Sequence, residues 1–170
     1  MGKKIDSHLL NSHGLLNFEK YQMDGVRLGI GLYGSANNTN LNQISCLNSV
    51  ITQTRTLKPG DPIGYGASFV AKEKMKIAII PVGYADGMNR RLGNTVGTVF
   101  VDACECPIVG EISMDSFAVN VTKCDAQEGD LVEIFGDQLP VAEIAKKINT
   151  IPYEIYSTLN RRIKRVYSDS

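Results

Sequence analysis

Tyr65 stands between two glycines in Ile63-Gly64-Tyr65-Gly66-Ala67-Ser68-Phe69. Glycine on both sides removes side-chain bulk and lets a ligand or another segment of backbone approach closely. A phenol with a pKa near ~10 is a poor base at neutral pH, so proton abstraction by Tyr65 requires surroundings that favour the phenolate. On these neighbours alone, a half-buried sheet tyrosine is the stronger reading. Met114-Asp115 alone reads as packing plus a turn, and Arg27 alone as a solvated charge. Cys104-x-Cys106 is not a zinc site without further ligands, and no C-x-x-C pair exists among Cys46, Cys104, Cys106 and Cys124. These cysteines read as reduced thiols. His8 and His13 have no third ligand at useful spacing and read as structural or solvated, so no metal is expected.

The elements that must position these residues are mostly strands. Val50 to Leu57 is rich in β-branched residues and ends at the turn Lys58-Pro59-Gly60-Asp61. Lys76 to Val82 reads as a buried strand, and Val96–Val101 and Phe117–Val121 alternate at period two. Leu131 to Phe135 is a further strand between glycine turns. Val141, Ile144, Ala145 and Ile148 fall on one helical face, and Pro152 opens a second short helix through Leu159. The tail from Arg161 to Tyr167 reads as a returning strand. Leu9, Leu15, Leu16, Phe18 and Tyr21 mark a short helical or irregular segment, Val26–Gly34 is a compact apolar run punctuated by glycines, and Ser35–Asn42, with Asn37-Asn38-Thr39, reads as a loop.

The chain is 170 residues long, enough for one cored domain with a short attachment. Lys plus Arg (18) balances Asp plus Glu (18), which argues against a broad basic face for nucleic acid. No apolar run approaches the ~20 residues of a membrane helix. Met1–Asp6 is basic but has no apolar core behind it, so no secretory signal is read and a cytoplasmic location is expected.

Three stretches, in this order and spacing, resemble the carboxy-terminal domain of the alanine racemases. They are Gly64-Tyr65-Gly66 followed by Phe69 and Ala71-Lys72, then Gly83-Tyr84-Ala85-Asp86-Gly87, then Ile112-Ser113-Met114-Asp115. Asn11-Ser12 with Val26-Arg27-Leu28-Gly29-Ile30 is similar to the end of that family's cofactor barrel. The match runs from about Asn11 to Tyr167. Members interconvert L- and D-alanine with pyridoxal phosphate by two-base proton transfer, a D-alanine route to peptidoglycan precursors. The resemblance implies that Tyr65 is the base for the L-isomer, acting from the opposite subunit of a dimer, while a cofactor-bound lysine serves the other face. It implies that Met114, through its N–H to the substrate carboxylate, Asp115 and Tyr84 bind the substrate, with Tyr84 narrowing the entrance and Arg90, Glu111 and Ile151 around it. The family often has arginine where Glu111 stands, so the charge at this place is reversed. Ser12, Gly29, Ile30 and Tyr153 would hold the cofactor phosphate, since N–H groups at a glycine-bearing turn suit a dianion. Arg27 would face the pyridine nitrogen.

The family's cofactor lysine lies in a lysine-alanine-asparagine-alanine-tyrosine-glycine motif, which this sequence lacks. A (β/α)₈ barrel needs roughly 200 residues or more. The expected architecture is therefore mainly β: an antiparallel, barrel-like racemase C-terminal domain with small edge helices over residues 41–170. Residues 1–40 would be a remnant of the cofactor barrel and linker, with Leu9, Leu15, Leu16 and Phe18 short of a core. The chain is expected to be half of an enzyme, inactive by itself, pairing as a homodimer or with a barrel domain around a small amino-acid substrate. The alternatives are a non-catalytic dimerisation module on the same fold and a racemase domain acting on serine.

Overall fold

The structure, a computed structural model, describes residues 6–36 and 41–167. The expected loop at Asn37-Asn38-Thr39 lies outside the described residues. The chain divides into two compact units between Ser45 and Cys46.

In the amino-terminal unit, strand β1 (His8–Asn11) pairs in parallel with β2 (Gly25–Arg27), and helix α1 (Ser12–Phe18) lies between them in the chain. Asn11 caps α1, its side chain accepting the Gly14 N–H at 2.8 Å. A 3₁₀ turn, Ile30–Tyr33, follows β2. The helical or irregular reading of the segment around Leu9 missed β1, and the apolar run from Val26 was not read as a strand. These two strands are four and three residues long, too short for period two to emerge from the sequence. Leu10 is buried, whereas Leu9 and Phe18 are more than half exposed.

The carboxy-terminal unit holds β3 (Leu47–Val50), β4 (Gln53–Leu57), β5 (Pro62–Ile63), β6 (Phe69–Val70), β7 (Met75–Ile80), β8 (Thr98–Val101), β9 (Cys104–Val109), β10 (Phe117–Asn120) and β11 (Leu131–Phe135). Helices α2 (Val141–Lys147) and α3 (Pro152–Thr158) follow. Seven strands form one antiparallel sheet in the order β3-β11-β8-β9-β10-β7-β4. Its two edge strands, β3 and β4, are joined by Ile51 and Thr52 alone. Two residues reach only about 7 Å, so the sheet must curl until its edges nearly meet. The link bonds to both sides, Ile51 N–H to the Asp130 carbonyl at 2.9 Å and Thr52 N–H to the Ile79 carbonyl at 3.0 Å.

Strand alternation divides the core. Ala78, Ile80, Phe117, Val119 and Ile108 point into a large cluster with Val99, Val132, Val141 and Ile144. The intervening Met75, Ile77, Ala118 and Val109 pack with Leu57, Ile63 and Ala71 in a second cluster. Thus β7, β9 and β10 are covered on both faces, and Ile63 of the β5–β6 hairpin belongs to the second cover. Neighbouring β5 and β6 pair Pro62 with Val70 and Ile63 with Phe69. The tip of this hairpin is the 3₁₀ turn Tyr65–Ala67.

The strand expected across Val50–Leu57 is broken at Ile51-Thr52, where the chain crosses between the two sheet edges. The tail from Arg161 to Tyr167 forms a turn and irregular chain, not a strand. The cysteines also depart from expectation. β9 and the turn after β10 lie side by side, and Cys104 is disulfide-bonded to Cys124. The Cys106 Sγ lies 3.3 Å from the Cys124 Sγ, and burial pushes its thiol up to about 11. Cys46 is free and exposed.

Candidate active site

Two turns build a cavity of the carboxy-terminal unit. The first, Gly83–Gly87, follows β7; the second, Ser113–Ser116, precedes β10. The Tyr84 N–H donates to the Ser113 carbonyl and the Ala85 N–H to the Met114 carbonyl, each at 3.0 Å. Gly83 is required here, because a Cβ would stand 2.2 Å from the Met114 carbonyl oxygen. The Ser113 N–H and hydroxyl both donate to the Ser116 carbonyl, closing the second turn. Tyr84, Arg90, Glu111, Met114 and Asp115 then line a cavity of about 470 Å³ with Ile112 and Ser113. Met114 is half exposed, and its N–H has no acceptor among the described residues. Tyr84 is also exposed to the cavity side of its turn, with 44% of its surface accessible.

An adjoining cavity of about 310 Å³ shares Glu111 and Ser113 and is lined as well by Gly64, next to Tyr65. The Tyr65 turn needs its glycines: Gly64 has φ 75° and Gly66 φ 64°, a region costly for other residues. The Glu111 N–H donates to the Ser68 hydroxyl at 3.3 Å, tying the hairpin tip to the loop that carries Glu111. The backbone of Tyr65 is thereby placed beside this loop; its side chain is not among the described groups.

Charges around the cavity are paired. The Arg90 guanidinium meets the Glu111 carboxylate at 2.8 Å, with both side chains substantially exposed. Arg162 donates through Nε to Asp86 at 2.6 Å and through an Nη to Asp115 at 2.7 Å. The other Asp86 oxygen accepts the Gly83 N–H at 2.8 Å. The Arg162 hydrogen bond holds the Asp86 carboxyl below its ordinary value, against the opposing effect of burial. Nothing local in the sequence marks Arg162, which lies 76 residues from Asp86 and 47 from Asp115. Ile151 and Tyr153 sit at the start of α3, both exposed, with Pro152 as the first helical residue.

In the amino-terminal unit, the buried Ser12 hydroxyl oxygen accepts the N–H groups of Gly29 at 2.8 Å and Gly31 at 3.2 Å. A hydroxyl that accepts twice still has its own proton to donate. The Ile30 N–H has no acceptor among the described residues. An Nη of Arg27 lies 2.8 Å from the His8 Nδ1. A guanidinium only donates, so Nδ1 is the acceptor and a neutral His8 carries its proton on Nε2. The pairing gives His8 a structural part in orienting Arg27.

Residues 44–167 match the family model described as "Alanine racemase, C-terminal domain". The chain belongs to the alanine racemase C-terminal domain family. "Alanine racemase 1" of Oceanobacillus iheyensis is 38% identical over 172 residues, covering 94% of this chain and 46% of the relative. "Alanine racemase 2" of Caldanaerobacter subterraneus subsp. tengcongensis is 38% identical over 171 residues, with 94% and 44% covered. The crystal structure of alanine racemase from Bartonella henselae with covalently bound pyridoxal phosphate superposes with a TM-score of 0.89 at 37% identity. It covers 98% of this chain and 48% of that one. The racemase C-terminal domain thus spans about half the length of the relatives it matches. The barrel-like β architecture agrees with that family.

Proposed function

We propose that this chain is the carboxy-terminal half of an alanine racemase and supplies one of two opposed proton-transfer groups. The observation that carries the reading is the convergence of residues 64, 84, 90 and 111–115, from four separate stretches, on two adjoining cavities. Racemisation requires a base on each face of the α-carbon, one removing the proton and the other returning one. Tyr65, at the tip of its glycine-flanked hairpin, is the base for L-alanine, and it acts in the site of a second subunit. The Met114 N–H, without an acceptor among the described residues, binds the substrate carboxylate by a charge-assisted hydrogen bond. Asp115 belongs to the same turn, and Tyr84 sets the width of the entrance between Arg90 and Glu111. Because Arg90 and Glu111 neutralise each other, the entrance suits a zwitterion rather than an anion. Ile151 lies at this entrance by family resemblance.

Pyridoxal phosphate, when bound, supplies the electron sink that acidifies the α-proton. The amino-terminal unit has groups that fit its phosphate: the Ser12 hydroxyl proton and the Ile30 N–H, which has no acceptor among the described residues, beside the Gly29 backbone. A Cβ at Gly31 would come within 3.3 Å of the Ser12 oxygen, so the glycines keep this hydroxyl clear. Arg27, oriented by His8, would donate to the pyridine nitrogen, which then stays unprotonated. Tyr153 is kept as a phosphate contact on family resemblance.

The test is an assay of the complete enzyme for D-alanine formed from L-alanine. Tyr65→Phe removes the ionisable oxygen and keeps the ring, and should lower the rate roughly 10²–10⁴-fold, the usual cost of a positioned base. A wild-type rate in this variant would contradict the assignment.

A further inference from the structure

Three segments far apart in sequence meet at one guanidinium. The Gly83–Gly87 turn presents Asp86, the Ser113–Ser116 turn presents Asp115, and the segment after α3 presents Arg162 between them. The arrangement has support beyond the two ion pairs. The Asn160 N–H donates to the Asp86 carbonyl at 3.0 Å. Gly87 lies so close under α3 that a Cβ would stand 2.5 Å from the Thr158 carbonyl oxygen. The carboxy-terminal segment is therefore docked on the first turn, and Arg162 extends from it to the second.

We propose that Arg162 is a positioning residue that locks the Met114 turn against the Tyr84 turn, so that the Met114 N–H is held toward the substrate carboxylate. The proposal deepens the racemase reading and rests on it for its kinetic consequence. Its physical basis is the planar fork of arginine: two nitrogens reach two carboxylates on different turns at once. Asp86 in turn fixes its own turn through the Gly83 N–H, and that turn holds the second through the Tyr84 and Ala85 N–H bonds. Arg162 touches neither turn's backbone donors to substrate. It acts only through the two aspartates.

Arg162→Lys tests the idea, because an ammonium on a flexible stem is a point charge and does not reproduce the fork. Arg162→Met removes the charge as well. Amide exchange by NMR on this chain should show Tyr84 and Ala85 losing about tenfold or more of their protection in both variants. The amides of Ile77–Ile79 in β7 should keep theirs, showing that the fold persists. In the complete enzyme, KM for alanine should rise about tenfold while kcat changes less than about threefold, as expected when a binding contact is misplaced. Unchanged protection at Tyr84 and Ala85 would overturn the proposal. So would equal loss across β7, which would make Arg162 a general stability residue, and so would a fall in kcat with KM unchanged. If the wild-type enzyme does not racemise alanine, the functional reading fails, and the exchange pattern alone still decides whether the clamp exists.

Discussion

Asp86 is buried and accepts from both an arginine and a backbone amide, so protonating it weakens the bonds that hold the Gly83–Gly87 turn. Its folded pKa lies below the ordinary 3.8. A depressed carboxylate stabilises the fold fully above its unfolded pKa, and that contribution is lost as pH falls through the lower folded value. Denaturation midpoints should therefore drop below about pH 4, and Asp86→Asn should flatten that part of the profile. An unaltered profile in the variant would show that other carboxylates carry the acid sensitivity. The Arg90–Glu111 pair predicts a smaller effect. Exposed pairs contribute about 0–1 kcal/mol, so Glu111→Gln should leave the melting temperature nearly unchanged. It should alter KM for alanine by less than about fivefold, which steady-state kinetics would check. Tyr65, Tyr84 and Met114 were singled out only by resemblance to the family's motifs, since their neighbours alone favour a sheet tyrosine and a packed turn. Arg162 was not, because its meaning depends on aspartates 76 and 47 residues away.

Among the elements, β11 was readable from the glycine turns that bound it, α2 from its helical apolar spacing, and α3 from Pro152 at its start. Strand β9 escaped notice: Cys-Glu-Cys-Pro-Ile-Val carries proline and no clear alternation. The same segment hides the disulfide, since only the pairing of β9 with β10 brings Cys104 to Cys124. A bridge closing a loop of this size, 20 residues in separation, contributes about 3 kcal/mol in the chain-entropy account. Replacing Cys104 and Cys124 together by serine should lower the urea midpoint accordingly, and reductant should then have no further effect. An equal midpoint for wild type with and without reductant would mean that the bridge adds nothing. The curl of the main sheet was anticipated only as a barrel-like tendency. What fixes it is the two-residue link between the edge strands β3 and β4, a long-range consequence of register that no local pattern carries.

For the molecule as a whole, we propose one half of an alanine racemase that brings its own phosphate-binding groups and one base. Lys76 lies in β7 and Lys58, Lys72 and Lys74 lie in loops of the carboxy-terminal unit, and none sits in the motif of the family's cofactor lysine. Incubation of this chain with pyridoxal phosphate, borohydride reduction and mass spectrometry should give no stoichiometric adduct on a single lysine. One such adduct would show that the chain carries its own cofactor lysine. The central claim, that Tyr65 works on one face only, is tested most directly by solvent exchange at the α-carbon. In D₂O, the complete Tyr65→Phe enzyme should exchange the α-proton of L-alanine roughly 10²–10⁴-fold more slowly than wild type. Exchange from D-alanine, which uses the opposite face, should stay within about tenfold of wild type. Equal rates for the two isomers in the variant, whether both retained or both lost, would contradict the assignment of Tyr65 as the base for L-alanine.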